Sequence, residues 1–172
     1  RVIEAGAVGV NLEDGMPGHG PLRPVAEAAA RIRAAREAAN ATGVALFINA
    51  RVDNWMHPMD DPAAALPDAV ARAQAYLAAG ADGIYPLGLN HEPTLKAFIA
   101  AVDAPVNVAA GAGIASLAAL ERLGVARVST ATRLSTLAWG AVDKAVRGML
   151  ATGTFDSLAS DFTYMDVQCL FD

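Results

Sequence analysis

The sequence predicts an α/β fold built on a parallel β-sheet, because one local pattern recurs along the chain. Each recurrence is an alanine-rich stretch, a glycine where a helix cap belongs, and then a short apolar or β-branched run. Gly6, Gly43 and Gly80 occupy the cap position at a 37-residue interval. Strands that alternate with helices of this length are joined by right-handed crossovers, so they lie parallel in the sheet.

Five strands and five helices follow from this pattern. The strands lie, in chain order, within EAGAVGVNLE (4–13), ATGVALFINAR (41–51), AAGADGIYPLG (78–88), DAPVNVAAG (103–111) and RLGVARVST (122–130). The fourth of these segments has Ala-Pro in place of the helix-stopping glycine. The helices are predicted at about 25–42, 66–79, 93–102, 114–123 and 132–151. The strands lack strict polar and apolar alternation, which is typical of strands that are covered on both faces.

Two architectures fit this order, an open doubly wound sheet and a (β/α)8 barrel. A barrel of about 250 residues has about 31 residues per unit, which suits the repeat seen here. Five strands cannot close a barrel, so the barrel requires three further units before Arg1. The opening RVIEAGA also resembles the last turn of a helix whose beginning is absent. We therefore expect a single (β/α) barrel domain over residues 1–172 that lacks its N-terminal units, with the open sheet as the alternative.

The composition argues against several classes of partner. The 172 residues carry a formal net charge of −5, and nucleic acids and anionic membranes require clustered Lys and Arg instead. No apolar run approaches the roughly 20 residues of a membrane span. The single cysteine, Cys169, excludes an internal disulfide and indicates a cytoplasmic protein. It lies in the apolar tail FTYMDVQCLF, where we expect it to be buried.

Polar residues at the C-terminal ends of the strands are the candidate functional residues, because parallel barrels carry their active sites there. Side chains two apart on a strand share a face, so Asn11 with Glu13, and Asn49 with Arg51, are expected to point together into the barrel mouth. Asn107 adds an amide from the fourth strand. Carboxylate, guanidinium and amide groups suit a small anionic substrate and a hard divalent ion. The alternative is that Glu13 and Arg51 form only a structural ion pair between adjacent strands.

The loop GMPGHG (15–20) follows these residues and is too rich in glycine for a tight turn between a strand and a helix. Its composition suits a lid that excludes water from a neighbouring site. His19 within it is a candidate catalytic histidine, and the alternative is a solvated loop residue. His57 and His91 also follow strand ends, and we expect both in surface loops.

The stretch GVNLEDG (9–15), followed by FINARVD (47–53), resembles the isocitrate lyase/phosphoenolpyruvate mutase superfamily, in its phosphoenolpyruvate mutase-like and 2-methylisocitrate lyase-like branch. The resemblance covers essentially the whole chain. It implies a (β/α)8 TIM barrel of the phosphoenolpyruvate mutase type, of which this chain covers about strands 4–8 and the C-terminal helices. It also implies a homodimer or homotetramer in which the C-terminal helix is exchanged between subunits.

By the same resemblance, Glu13 belongs to the coordination sphere of Mg²⁺ (or Mn²⁺), Arg51 anchors the substrate, and Asn107 contributes to carboxylate binding. The loop 15–22 corresponds to the gating loop of the family. Isocitrate and methylisocitrate lyases carry a Lys-Lys-Cys-Gly-His stretch there, whereas this loop reads GMPGHGPL and retains only His19. The Asn that the mutases have in this loop is absent as well. The departures argue against a true isocitrate lyase.

The resemblance implies a Mg²⁺-dependent carbon–carbon bond lyase or decarboxylase that acts through a pyruvate-like enolate. Its substrate would be a small 2-oxo or 2-hydroxy di- or tricarboxylate of the oxaloacetate, 2-oxoglutarate or methylisocitrate class. Three alternatives stay open: P–C bond chemistry by a phosphonopyruvate mutase or hydrolase, a barrel that binds 2-oxo acids without turning them over, and a non-functional fragment.

Overall fold

The structure of the protein is a computed structural model that describes residues 1–18, 20–111 and 113–171. The chain divides into two compact units, Arg1–Thr130 and Ala131–Asp172. Among the described residues, no helix combines the length and the apolar character that crossing a membrane requires.

All of the strands in the first unit are parallel to their neighbours. They are β1 (Gly9–Glu13), β2 (Phe47–Val52), β3 (Gly83–Pro86), β4 (Asn107–Ala109) and β5 (Arg127–Ser129). The described residues form one sheet in the order β1-β2-β3 and a second that pairs β4 with β5. A single parallel bridge between Ile84 and Val106 links the two sheets. The predicted α/β fold is thus confirmed, while the five described strands do not close on themselves.

The helices follow the strands as the sequence predicts. They are α1 (Val25–Thr42), α2 (Leu66–Ala78), α3 (Glu92–Ala101) and α4 (Leu117–Leu123) in the first unit. A 3₁₀ turn, Pro62–Ala65, precedes α2 and was not predicted. The predicted start of α4 at 114 is wrong because Ser116 caps that helix, its Oγ accepting a hydrogen bond from the Ala119 N–H at 3.3 Å.

Glycine ends α1 as the pattern predicts. Gly43 has a φ of 71°, a left-handed conformation that glycine adopts at little steric cost, and its N–H bonds to the Asn40 carbonyl oxygen. The third helix ends differently, because Val102 already has extended backbone ahead of the Ala-Pro pair. Because β1 and β2 are parallel and paired in register, their C-terminal ends lie at the same edge of the sheet.

The core lies between the sheet and the helices. On β2, the side chains of Ile48, Ala50 and Val52 are fully buried. The intervening residues, Asn49 and Arg51, share the opposite face because side chains alternate along a strand. The sheet thus has one apolar face, which the helices cover, and one face that carries polar groups.

The second unit consists of α5 (Arg133–Thr152), a 3₁₀ turn (Asp156–Leu158) and α6 (Tyr164–Gln168). Many of its large apolar side chains are exposed: Leu134, Leu137, Trp139, Val142, Val146, Leu150, Phe155, Phe162, Met165, Leu170 and Phe171. Cys169 is exposed as well, so the expectation that it is buried is wrong. Among residues 131–171 of this unit no side chain is buried, so the thiol has no buried apolar neighbours to join.

Candidate functional site

Glu13 and Arg51 lie side by side at the C-terminal ends of β1 and β2. They are partners in the parallel register, so their side chains leave the sheet on the same face. Arg51 Nη2 lies 2.5 Å from Glu13 Oε2. Both residues line a cavity of about 470 Å³. The strand positions read from the sequence therefore bring these two side chains together at one opening.

Asp53 is the third member of a charged cluster in which Arg51 pairs with two carboxylates, those of Glu13 and Asp53. Arg51 donates from Nε to Asp53 Oδ1 at 2.6 Å and from Nη2 to Asp53 Oδ2 at 2.8 Å, so the contact is bidentate. These hydrogen bonds raise the pKa of Arg51 above its ordinary value; burial opposes the rise, and the charges of Asp53 and Glu13 add to it. Asp53 was not among the predicted site residues, because it follows the end of the predicted strand. Its spacing of two from Arg51 would have predicted that the two side chains share a face.

A glycine is required beside this cluster. A Cβ built on Gly15 would lie 2.5 Å from Asp53 Oδ2, which is closer than non-bonded atoms approach. Gly15 therefore lets the chain after β1 pass directly over the Asp53 carboxylate. The first residue of the loop thus helps to determine where the carboxylate of Asp53, which follows β2, lies.

Asp14 lies on the other side of the strand end and is 1% exposed. Its Oδ1 accepts a hydrogen bond from the Asp53 backbone N–H at 3.0 Å, and its Oδ2 accepts one from the Tyr76 hydroxyl at 2.7 Å. Arg72 Nη1 lies 3.2 Å from the same Oδ2. Burial, together with the Asp14 carboxylate, raises the pKa of Tyr76 well above its ordinary value, which Arg72 only partly offsets. Asp14 thus joins α2 to the end of β2.

The loop after β1 forms one wall of the cavity. Gly15 and Leu22 form an antiparallel bridge, and the Met16 N–H donates to the Pro21 carbonyl oxygen at 3.2 Å. The loop residues that line the cavity are Gly15, Met16, Pro17, Gly18, Gly20, Pro21 and Leu22. His19, the predicted catalytic histidine, lies outside the described residues, so its role stays a prediction.

The asparagines predicted to bind substrate line other cavities. Asn49 Nδ2 donates to Asn11 Oδ1 at 2.8 Å, and both residues line a cavity of about 410 Å³. Asn107 and Asn49 line a third cavity of about 220 Å³. Asn107 is 3% exposed; its Oδ1 accepts from Ser129 Oγ at 3.0 Å, while its buried Nδ2 has no partner among the described residues. The structure therefore brings Glu13 and Arg51 together, and groups the three amides apart from them.

The donor set at the cavity suits a hard cation held by few protein ligands. The carboxylates of Glu13 and Asp53 line the same cavity, and the Glu13 side chain is 46% exposed. Mg²⁺ is commonly bound by one or two carboxylates and keeps several waters. The described ranges contain no group of three or more His, Cys, Asp or Glu that could hold a metal ion. Glu13 therefore presents a half-exposed carboxylate to the cavity, while its Oε2 already pairs with Arg51.

Known proteins similar to this chain point to one family. The family model for phosphoenolpyruvate phosphomutase matches residues 1–150. The uncharacterized protein Rv1998c of Mycobacterium tuberculosis (strain ATCC 25618 / H37Rv) is 34% identical over 130 residues, which are 75% of this chain and 46% of the relative. The chain thus spans about half the length of the curated relatives that it matches.

Two solved structures from Burkholderia cenocepacia J2315 are similar in both sequence and fold. A predicted lyase/mutase is 37% identical with a TM-score of 0.87, and the match covers 98% of this chain and 60% of that one. A predicted phosphonomutase is 43% identical with a TM-score of 0.79, and the match covers 88% and 60% of the two chains.

More distant structures share the fold alone. Phosphonopyruvate hydrolase in complex with oxalate and Mg²⁺ is 22% identical with a TM-score of 0.75, over 98% of this chain and 60% of that one. Oxaloacetate acetylhydrolase in complex with its product oxalate is 18% identical with a TM-score of 0.82, over 99% and 58%. With a family model that matches most of its length, the chain belongs to the phosphoenolpyruvate phosphomutase family.

Proposed function

We propose that the complete protein is a Mg²⁺-dependent lyase or decarboxylase that cleaves a carbon–carbon bond in a small 2-oxo or 2-hydroxy di- or tricarboxylate. Its fold would be a (β/α)8 barrel in which this chain forms about strands 4–8 and belongs to a single domain. The observation that carries the proposal is the position of Arg51, held between Glu13 and Asp53 at the mouth of one cavity.

Arg51 would anchor a carboxylate of the substrate. Its guanidinium is planar and stays charged at every relevant pH. Asp53 and Glu13 already take Nε and Nη2, so the Nη1 hydrogens would donate to the substrate carboxylate. Asp53 holds the guanidinium in one orientation through its bidentate contact. A guanidinium that is already fixed loses less conformational entropy when a ligand binds, which favours affinity.

Glu13 would hold the metal ion, directly or through water, while its second contact keeps Arg51 in place. Mg²⁺ or Mn²⁺, when bound, supplies Lewis-acid polarisation of the carbonyl and carboxylate oxygens of the substrate. Asn11, Asn49 and Asn107 would contribute amide groups to substrate binding in the complete barrel. The unpartnered, buried Nδ2 of Asn107 supports this role for the third amide.

The loop 15–22 would close over the substrate and exclude water from the cavity that it lines. His19 is the group in this loop that we propose for proton transfer, because an imidazole titrates near neutral pH. The loop lines the cavity with apolar side chains, those of Met16, Pro17, Pro21 and Leu22. This lining supports a lid role, because apolar side chains exclude water and offer it no hydrogen bonds.

The second candidate function is P–C bond chemistry, in a phosphonopyruvate mutase or hydrolase. The 43% identity to a predicted phosphonomutase favours it. Binding of 2-oxo acids without turnover is the non-enzymatic alternative. For either enzyme we propose a cytoplasmic homodimer or homotetramer with an exchanged C-terminal helix, which the exposed apolar side chains of α5 support.

A substrate panel separates these functions. The protein is incubated with Mg²⁺ and oxaloacetate, methylisocitrate or phosphonopyruvate, and products are followed by mass spectrometry and a phosphate assay. Carbon–carbon cleavage of either carboxylate supports the proposal. Conversion of phosphonopyruvate alone, by phosphate release or rearrangement, supports the second candidate. If calorimetry shows Mg²⁺-dependent binding of oxalate and no substrate gives a product, the non-enzymatic alternative is supported.

A further inference from the structure

The Arg72 side chain, on α2, connects three parts of the chain that surround the cavity. It is 8% exposed, and its guanidinium has partners in two directions. Nε donates to Asp68 Oδ2 at 2.7 Å. Nη1 donates to the Arg23 carbonyl oxygen at 2.9 Å and lies 3.2 Å from Asp14 Oδ2. Hydrogen bonds to Asp68 and Tyr76 raise the pKa of Arg72 above its ordinary value despite the opposing effect of burial, so the group stays charged.

Two of these partners are the stems of the cavity loop. Asp14 precedes the loop 15–22, and Arg23 follows it. The Arg23 N–H donates to the Asp14 carbonyl oxygen at 2.8 Å, which closes the base of the loop. Arg72 then bonds to the outside of both stems, at the Asp14 carboxylate and at the Arg23 carbonyl oxygen. The base of the loop is therefore held by a buried cation on a helix.

The same contacts extend to the substrate-anchoring side of the cavity. The second oxygen of Asp14 accepts the Asp53 N–H, and Asp53 in turn holds Arg51 through two hydrogen bonds. A continuous series of hydrogen bonds and ion pairs thus runs from Arg72 through Asp14 and Asp53 to Arg51.

We propose that Arg72 is a positioning residue, which through Asp14 fixes the loop base and the Asp53–Arg51 pair in one relative arrangement. The inference rests on the proposed function, since it matters for ligand binding only if Arg51 is the anchor. Lysine cannot replace the arginine, because a single ammonium group cannot reach Asp68 and the Arg23 carbonyl oxygen at once. A purely structural ion pair would stabilise the whole unit. A positioning residue instead acts in particular on the backbone N–H groups of Arg23 and Asp53, which bond to Asp14.

Arg36 supplies a matched control. It is a half-buried arginine on α1 with the same kinds of partner: its Nε donates to the Gly80 carbonyl oxygen at 3.0 Å, and its Nη1 to the Leu46 carbonyl oxygen at 3.1 Å. It also pairs with Asp82. None of these partners lines the cavity of Glu13 and Arg51. Arg36→Lys therefore costs a comparable network at a distance from the loop.

The test compares Arg72→Lys with Arg36→Lys by amide hydrogen exchange and by calorimetry with oxalate and Mg²⁺. In Arg72→Lys, we expect the Arg23 and Asp53 amides to exchange at least about tenfold faster than in wild type. The Asp14 carboxylate, which accepts the Asp53 N–H, and the Arg23 carbonyl oxygen both lose their charge-assisted hydrogen bond to Arg72. Oxalate affinity should fall by about fivefold or more. In Arg36→Lys both quantities should stay near wild type.

A second variant keeps the test independent of an unpaired buried charge. The double change Asp14→Asn with Arg72→Met removes both charges, and we expect the same two amides to exchange faster than wild type. Wild-type exchange at both amides in either Arg72 variant, or equal loosening in Arg36→Lys, would overturn the inference. If the wild-type protein binds no oxalate with Mg²⁺ but the Arg72 variants still exchange faster at these two amides, the positioning contact is supported. The proposed function is then the part that is wrong.

Discussion

Gly15 and Asp53 approach so closely that a single methyl group would not fit between them. A Cβ on Gly15 would lie 2.5 Å from Asp53 Oδ2, and the Asp53 carboxylate is the group that holds Arg51. The position of the loop and the position of the Arg51 guanidinium are therefore coupled through one carboxylate.

Gly15→Ala should consequently weaken ligand binding. The added methyl group displaces the Asp53 carboxylate, so Arg51 loses its fixed orientation, and we expect the affinity for oxalate with Mg²⁺ to fall by about tenfold, which is about 1.4 kcal/mol. Calorimetry measures the change. Gly140→Ala on α5 is the matched control, because no atom of the part of the chain that the structure describes lies within 4 Å of its added Cβ. An unchanged affinity in Gly15→Ala would show that the position of Asp53 does not matter for binding.

Arg51→Lys tests the anchor itself. A planar guanidinium becomes a point charge, so the bidentate contact to Asp53 is lost together with the orientation in which Arg51 would meet a substrate carboxylate. We expect oxalate affinity to fall by at least about tenfold, the value of one charge-assisted hydrogen bond. Arg33→Lys, an exposed change on α1, is the control and should bind as wild type does. Equal affinities in the two variants would remove Arg51 from the site.

Asp14 should matter for stability more than any exposed acid. Asp14→Ala leaves the Arg72 guanidinium buried beside no carboxylate on that side, and it deprives the Tyr76 hydroxyl and the Asp53 N–H of their acceptor. Removal of one partner of a buried ion pair costs about 3–5 kcal/mol. Urea unfolding monitored by circular dichroism measures this loss. Asp103→Ala, at an exposed position, should stay within about 0.5 kcal/mol of wild type, and a similar small change in Asp14→Ala would contradict the expectation.

The sequence predicted the elements well because local rules determine them. Glycine caps, alanine-rich helices and β-branched runs placed α1 at its observed bounds, and the parallel order followed from alternation of strands and helices. The pairing of Glu13 with Arg51 was predictable as well, because it needs only a strand end and a parallel register.

The rest of the site depends on distances that local rules do not encode. Asp14 and Tyr76 are 62 positions apart, and their hydrogen bond exists because α2, which packs against β2, brings Tyr76 to the residue that follows β1. Asp53 was left out because the strand was expected to end before it. Asn11 and Asn49 were expected at the mouth because they share strand faces with Glu13 and Arg51, and Asn107 because it lies on the fourth strand. The three amides line cavities other than that of Glu13 and Arg51. A shared face gives direction, whereas the depth along the strand decides which cavity a side chain lines.

Tyr76 should make the protein sensitive to alkaline pH. Burial and the Asp14 carboxylate raise the pKa of its phenol in the folded state, so the unfolded chain loses this proton first, near pH 10. Stability from this group is fully present below that pH and is lost as pH rises toward the folded pKa, at up to about 1.4 kcal/mol per pH unit. Tyr76→Phe should be less stable at neutral pH, because Asp14 loses a donor, yet its stability should fall less steeply above pH 10. Urea unfolding across this range measures both effects, with Tyr164→Phe as the control for a ring that is 74% exposed. Equal alkaline slopes in wild type and Tyr76→Phe would show that the phenol does not stay protonated against Asp14.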